Sequence, residues 1–149
     1  MVSPVGLSVN ESWDNILAGK SGIAPITHFD TTGFATTFGG SIKDFVVTAY
    51  IKAKDAKKMD PFIHYGIVAS MEAIKDSGLE VTEENAERIG VAVGSGIGGL
   101  PGIEKGNEAY HRGGPRKISP FFVPSNIINM ISGHVSIMYG LKVPNIAMV

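Results

Sequence analysis

Apolar side chains fall at Ile63, Ile67, Met71 and Ile74, spacings of 4, 4 and 3 that keep them on one face of a helix. Asp60 precedes the run as an N-cap, Pro61 takes the first helical position and Gly78 closes it, so the pattern predicts a helix from Pro61 to about Ser77. A second run, Ile127, Ile128, Met130, Ile131, Val135, Ile137 and Met138, leaves no polar side. It predicts a buried helix from Asn126 to Tyr139, capped by Ser125 and ended by Gly140. Such burial implies a further half of the fold or a second subunit against it. Two weaker helices are predicted. One runs from its cap Asn10 to Leu17, with Trp13, Ile16 and Leu17 as its apolar face and Gly19 at its end, and the other from Glu104 to Tyr110.

Two stretches are apolar in the manner of buried strands. Ile89 to Val93 reads IGVAV, and Val143 to Val149 reads VPNIAMV. The first runs straight into Gly94, Gly96, Gly98 and Gly99, a loop in which Ser95 and Ile97 are the only side chains. Pro101 and Gly102 are expected to keep a long helix from starting directly after it. Residues 20–46 read as loops with a weak edge strand at Gly33–Ile42. Prolines predict an extended Ile118–Pro124, which would send the adjacent Phe121 and Phe122 to opposite sides. Helices mixed with a few buried strands predict a layered α/β fold. MVSPVG begins like the end of a strand-to-loop passage, and the last strand pattern has no polar tail, so both ends read as lying inside a larger folded unit.

Composition narrows the function. The length of 149 residues suits one domain, and charged residues make up only 18%, where about a quarter is usual. A net charge of −1 argues against nucleic acid as the main partner. The absence of cysteine excludes disulfides and thiolate metal sites, and His28, His64, His111 and His134 show no metal-ligand spacing. His64 and His134 read as packed, hydrogen-bonded core residues rather than catalysts. No apolar run is long enough to span a membrane, and the first residues do not read as a basic-then-apolar signal peptide. Glu72, Asp76, Glu80, Glu83, Glu84 and Glu87 surround a turn and a short helix opened by Thr82, and read as a solvated face.

Two basic clusters stand out. Lys52, Lys54, Lys57 and Lys58 against Asp55 and Asp60 leave residues 51–60 at +2, and in a helix Lys54, Lys57 and Lys58 share a face. HRGGPRK adds Arg112, Arg116 and Lys117 with no acid. Each cluster is either a solvated face or a dock for an acidic partner. Gly94-x-Gly96-x-x-Gly99 has the spacing of a dinucleotide fingerprint. It lacks the helix that should follow, and residues 114–124 offer neither the second strand nor its acid. These residues alone hold no catalytic constellation.

IGVAVGSGIGGL, GGPRKISPFFVPSNIINM and SGHVSIMYGLKVPNIAMV, with MVSPVG and KKMDPFIHYG, resemble the N-terminal half of the bacterial β-ketoacyl-[acyl-carrier-protein] synthases, nearest the elongating synthase II branch. The resemblance implies an α/β, thiolase-like fold of α/β/α layers, here as an incomplete N-terminal half covering residues 1–149. Its first strand would precede Met1, and its nucleophilic cysteine would follow about three residues past Val149, with two histidines and a lysine farther on. The chain itself would then hold no catalytic residue and no metal, and be inactive alone.

The implied chemistry is transfer of an acyl group from acyl carrier protein to the cysteine, then decarboxylative condensation with malonyl-carrier protein. It implies a cytoplasmic homodimer with no dissociable cofactor. By the same resemblance Ile97 gates the acyl pocket, Phe122 reaches that pocket across the dimer interface, and Lys54, Lys57, Lys58, Arg116 and Lys117 dock the acidic carrier with its phosphopantetheine-linked groups. The competing expectation is a non-catalytic chain-length subunit of a polyketide synthase, with glutamine in place of the cysteine.

Overall fold

Ser8 opens the first helix, α1 (Val9–Leu17), in place of the expected Asn10. Its hydroxyl accepts from the Glu11 N–H at 3.2 Å, while the Glu11 carboxylate reaches back to the Leu7 N–H at 2.7 Å. This Ser-x-x-Glu reciprocity is stronger than a lone Asn10 cap would be. Gly19 ends the helix in the left-handed region at φ +66°, and Trp13, Ile16 and Leu17 are exposed. The expected edge strand shrinks to β2 (Phe38–Gly39), paired antiparallel with β1 (Ala24–Pro25). The computed structural model describes residues 1–149 as two units, Met1–Val46, which holds these elements, and Val47–Val149, which holds the rest.

The second unit is built on α3 (Pro61–Ser77), which begins and ends where the pattern places it. Asp60 caps it by accepting from the Phe62 N–H at 3.4 Å, and Gly78 closes it at φ +65°. Ile63 and Ile67 are fully enclosed and meet Ile131 and Val135 of α6 (Met130–Tyr139). His64 holds the Ala56 carbonyl at 2.9 Å, the packed role expected of it. Before α3, the lysine run forms only a single turn, α2 (Ala53–Ala56), with Lys57 as its C-cap, so Lys57 and Lys58 lie beyond the helix. Thr82 opens turns and a 3-10 segment at Ala86–Arg88 instead of a helix, because Asn85 bridges the Thr82 N–H and the Glu80 carbonyl.

The two apolar runs pair with each other. β3 (Val91–Ala92) lies parallel to β4 (Asn145–Ile146), with Val91 opposite Asn145. The ladder runs on through the Val93 N–H to the Ile146 carbonyl at 3.1 Å and the Ser95 N–H to the Met148 carbonyl at 3.0 Å. It therefore carries into the glycine loop. Ser132 and Ser136 of α6 hold the Asn145 side chain at 2.7 and 2.8 Å, which pins β4 to that helix.

Further expectations fail in the segments that follow β3. A long helix, α4 (Leu100–Gly113), does start directly from the glycine loop, where a short Glu104–Tyr110 helix was expected. Pro101 falls in its first turn, where an N–H has no intrahelical partner, so the missing donor costs nothing. The stretch before Pro124 is extended only to Ile118. Ser119 then turns the chain, its hydroxyl and carbonyl taking the N–H groups of Phe121 and Phe122, and α5 (Phe122–Asn126) follows with Pro124 in its first turn.

The single helix expected from Asn126 to Tyr139 is broken at Ile127–Asn129, and Ser125 does not cap it. Gly99 takes the Asn126 carbonyl at 3.0 Å, which Met130 would need to continue the turn, and the Met130 N–H goes to Ile127 instead. Gly140 ends α6 as expected, at φ +69°. The helix is not enclosed all round: Ile131 and Val135 are buried, while Ile137 and Met138 are exposed. No helix is long and apolar enough to cross a membrane.

Candidate functional site

The ladder delivers the chain to Ser95, and the loop beyond it must then turn into α4. Gly98 makes that turn at φ +87°, a conformation that side chains disfavour. Ile97, just before it, is left 69% exposed. It faces an apolar groove of about 460 Å³ whose other walls include Ile103 of α4, Phe122 and Val123 of α5, and Ile127 and Ile128. Ile97 and Phe122, 25 positions apart in sequence, thus share one surface. The Phe122 ring lies on α4 at Gly106, where any Cβ would overlap it.

Phe121 goes the other way, as expected, although a turn rather than an extended backbone separates the pair. Its ring sits 5.5 Å below the Lys58 ammonium. It borders a second apolar cavity, of about 610 Å³, with Met59, Ile67, Met130, His134 and Met138. His134 is partly buried in the wall of this cavity, not fully enclosed in the core as its sequence reading has it. Burial pulls its pKa below the ordinary 6.5, and Asp55 pushes weakly the other way.

Lys57 and Lys58 border a small pocket of about 220 Å³ together with Lys105 of α4. Lys58 also pairs with Asp55 at 3.1 Å, and the hydrogen bond and charge of Lys58 hold that carboxyl below the usual carboxylate range. Lys105 escapes a sequence reading. It stands alone beside Glu104, and only a helix that starts at Leu100 carries it to the pocket. Lys54 is exposed on α2, and Arg116 and Lys117 are exposed on a 3-10 turn at Pro115–Lys117; none of the three lines this pocket.

Asp60 ties the pocket to the groove. Its Oδ2 accepts from the Gly102 N–H at 3.0 Å, and its own N–H donates to the Ser125 carbonyl at 3.2 Å. This settles the dinucleotide question on new grounds. The glycine fingerprint does open a helix. Yet the Gly99 N–H is given to Asn126 and the Gly102 N–H to a carboxylate, and Pro101 has none. A pyrophosphate would find no free donors and a negative charge at that terminus. No group of His, Asp or Glu side chains is disposed to hold a metal ion.

Residues 1–149 match the family described as Beta-ketoacyl synthase, N-terminal domain. The chain belongs to the β-ketoacyl synthase family. It is 62% identical over 147 residues to the 3-oxoacyl-[acyl-carrier-protein] synthase 2 of Vibrio cholerae, covering 99% of this chain and 36% of that protein. The chain spans about a third of the length of the curated relatives it matches.

Among solved structures, this synthase domain resembles the ishigamide ketosynthase/chain length factor at 25% identity with a TM-score of 0.76, covering 99% of this chain and 36% of that one. It also resembles a type II polyketide ketosynthase in complex with its acyl-carrier protein and bound to a hexaketide. There the identity is 24% and the TM-score 0.76, with 99% of this chain and 39% of that chain covered. The synthase domain therefore has the thiolase-like fold, of which the β3–β4 ladder and the helices packed on it are an N-terminal portion.

Proposed function

We propose that the protein carrying this domain is an elongating β-ketoacyl-[acyl-carrier-protein] synthase. A cysteine thiolate takes an acyl group from its carrier thioester and releases the carrier thiol. Malonyl-carrier protein then loses CO₂, the resulting carbanion attacks the acyl carbonyl, and the cysteine thiolate leaves. This chain supplies the surroundings of that chemistry. Ile97 and Phe122 line the way for the acyl chain, and Lys54, Lys57, Lys58, Lys105, Arg116 and Lys117 attract the acidic carrier. The protein works as a cytoplasmic homodimer, with the Phe122 side of the groove lying at the seam between the two subunits.

The observation that carries the reading is the convergence of Ile97 and Phe122 on one apolar groove beside the lysine pocket. An apolar groove next to a cationic rim suits a lipid-like chain delivered by an acidic protein. The experiment is to supply the full-length protein with acyl- and malonyl-carrier proteins and to measure 3-oxoacyl product and CO₂. Stoichiometric release of both is expected, and neither being formed would refute the assignment.

A second reading, a non-catalytic chain-length subunit, is favoured by the likeness to a ketosynthase/chain length factor structure. Glutamine instead of cysteine shortly after Val149 in the complete protein would select it.

A further inference from the structure

Asn126 is only 6% exposed, and every polar group it has faces the start of α4 or its own helix. Its carbonyl takes the Gly99 N–H at 3.0 Å, and its side-chain nitrogen donates to the Phe122 carbonyl. Its side-chain oxygen is buried with no hydrogen-bond donor. Such an oxygen is costly unless packing holds it in place. The packing is visible in the glycines. A Cβ on Gly99 or on Gly102 would overlap that oxygen, and at Gly102 all the nearest atoms belong to the Asn126 side chain. The hydrogens standing in those two positions point at the oxygen, the weak Cα–H···O arrangement. Asp60 completes the hold by accepting the Gly102 N–H at 3.0 Å. Ile97 is separated from this clamp by Gly98 alone.

We propose that Asn126 is a positioning residue that sets where the Ile97 loop stands over the groove, and through it which acyl chains are accepted. The inference rests on the acyl-gate reading of Ile97. Shorter side chains at 126 would leave α4's first turn without its stop. Leucine would fill the space but lose the bond to Phe122.

The test uses the full-length protein and compares acylation by short and long acyl-carrier substrates. Asn126→Ala should change the long-to-short ratio of kcat/KM by about tenfold, the scale at which small displacements of a pocket wall act. Loss of folded enzyme lowers both rates together and leaves that ratio alone, so a parallel fall would overturn the proposal. Gly102→Ala should by itself damage long-chain acylation. Adding Asn126→Ala vacates the space the new methyl needs, and the added damage from Gly102→Ala should largely disappear. The same Gly102→Ala penalty in both backgrounds would also overturn the proposal. Amide hydrogen exchange at Ile97–Leu100 reads the clamp without reference to activity, and Asn126→Ala should speed it. Unchanged exchange refutes the clamp. Faster exchange with an unchanged chain-length ratio leaves the clamp standing and refutes Ile97 as the gate.

Discussion

Removing the Asp60 carboxylate deprives two backbone donors of their acceptor, the Phe62 N–H and the Gly102 N–H. Asp60→Ala should therefore cost about 1–3 kcal/mol, seen as a lowered Tm, whereas Asp60→Asn keeps an acceptor and should cost less. At Ile97, replacement by phenylalanine should slow acylation by long chains more than by short ones in the full-length protein, measured as the ratio of the two rates. No change in preference would remove Ile97 from the path. His134 gives a pH dependence. Its folded pKa lies below the unfolded 6.5, so the unfolded state takes up the proton first. Its contribution is whole above 6.5 and falls away as pH drops below it toward the folded pKa. The Tm should fall on acidification, and His134→Gln should flatten that slope. At this scale the resemblance singled out Ile97 and Phe122, which the structure brings to one groove, and Lys57 and Lys58, which share a pocket that Lys54 does not line. Asn126 and Lys105 were not, since each matters only because α4 begins at Leu100.

Helices declare themselves when local chemistry and burial agree. Asp60, Pro61, the apolar stripe and Gly78 all point to α3, and the structure keeps both of its boundaries. Ile67 is fully enclosed in its core, and Ile67→Ala should lower stability by about 2–5 kcal/mol in a thermal melt. The misread elements are those decided by distant partners. Nothing between Asn126 and Met130 announces a break, which comes from a bond to Gly99. Pro101 looked like a barrier to α4, yet its position within the first turn makes it harmless. Strand patterns identified both members of the β3–β4 pair, but not that they are neighbours, because period and composition carry no information about pairing.

Across the 149 residues the net charge of −1 conceals local contrast, with lysines gathered at residues 52–58 and acids at 72–87. If the lysines steer an acidic carrier, turnover with carrier-linked substrates should fall steeply as salt is raised, while small thioester analogues hold steady. Lys57→Glu with Lys58→Glu should raise KM for the carrier-linked substrates by about tenfold or more and spare the analogues. Equal loss on both would argue against docking.

The parallel pairing of Val91 with Asn145 joins positions 54 residues apart, and α4, α5 and α6 are all strung between them. Closing so large a span carries an entropic cost on the order of 3–4 kcal/mol before the ladder returns anything. High contact order of this kind slows folding. During synthesis Ser95, at the start of the glycine loop, has no ladder partner until Met148 has left the ribosome, so α3 and its capped neighbours must wait as a partly formed nucleus. Chaperone engagement of this segment of the nascent chain should therefore be higher while residues 95–145 are emerging than after Met148 is free to pair.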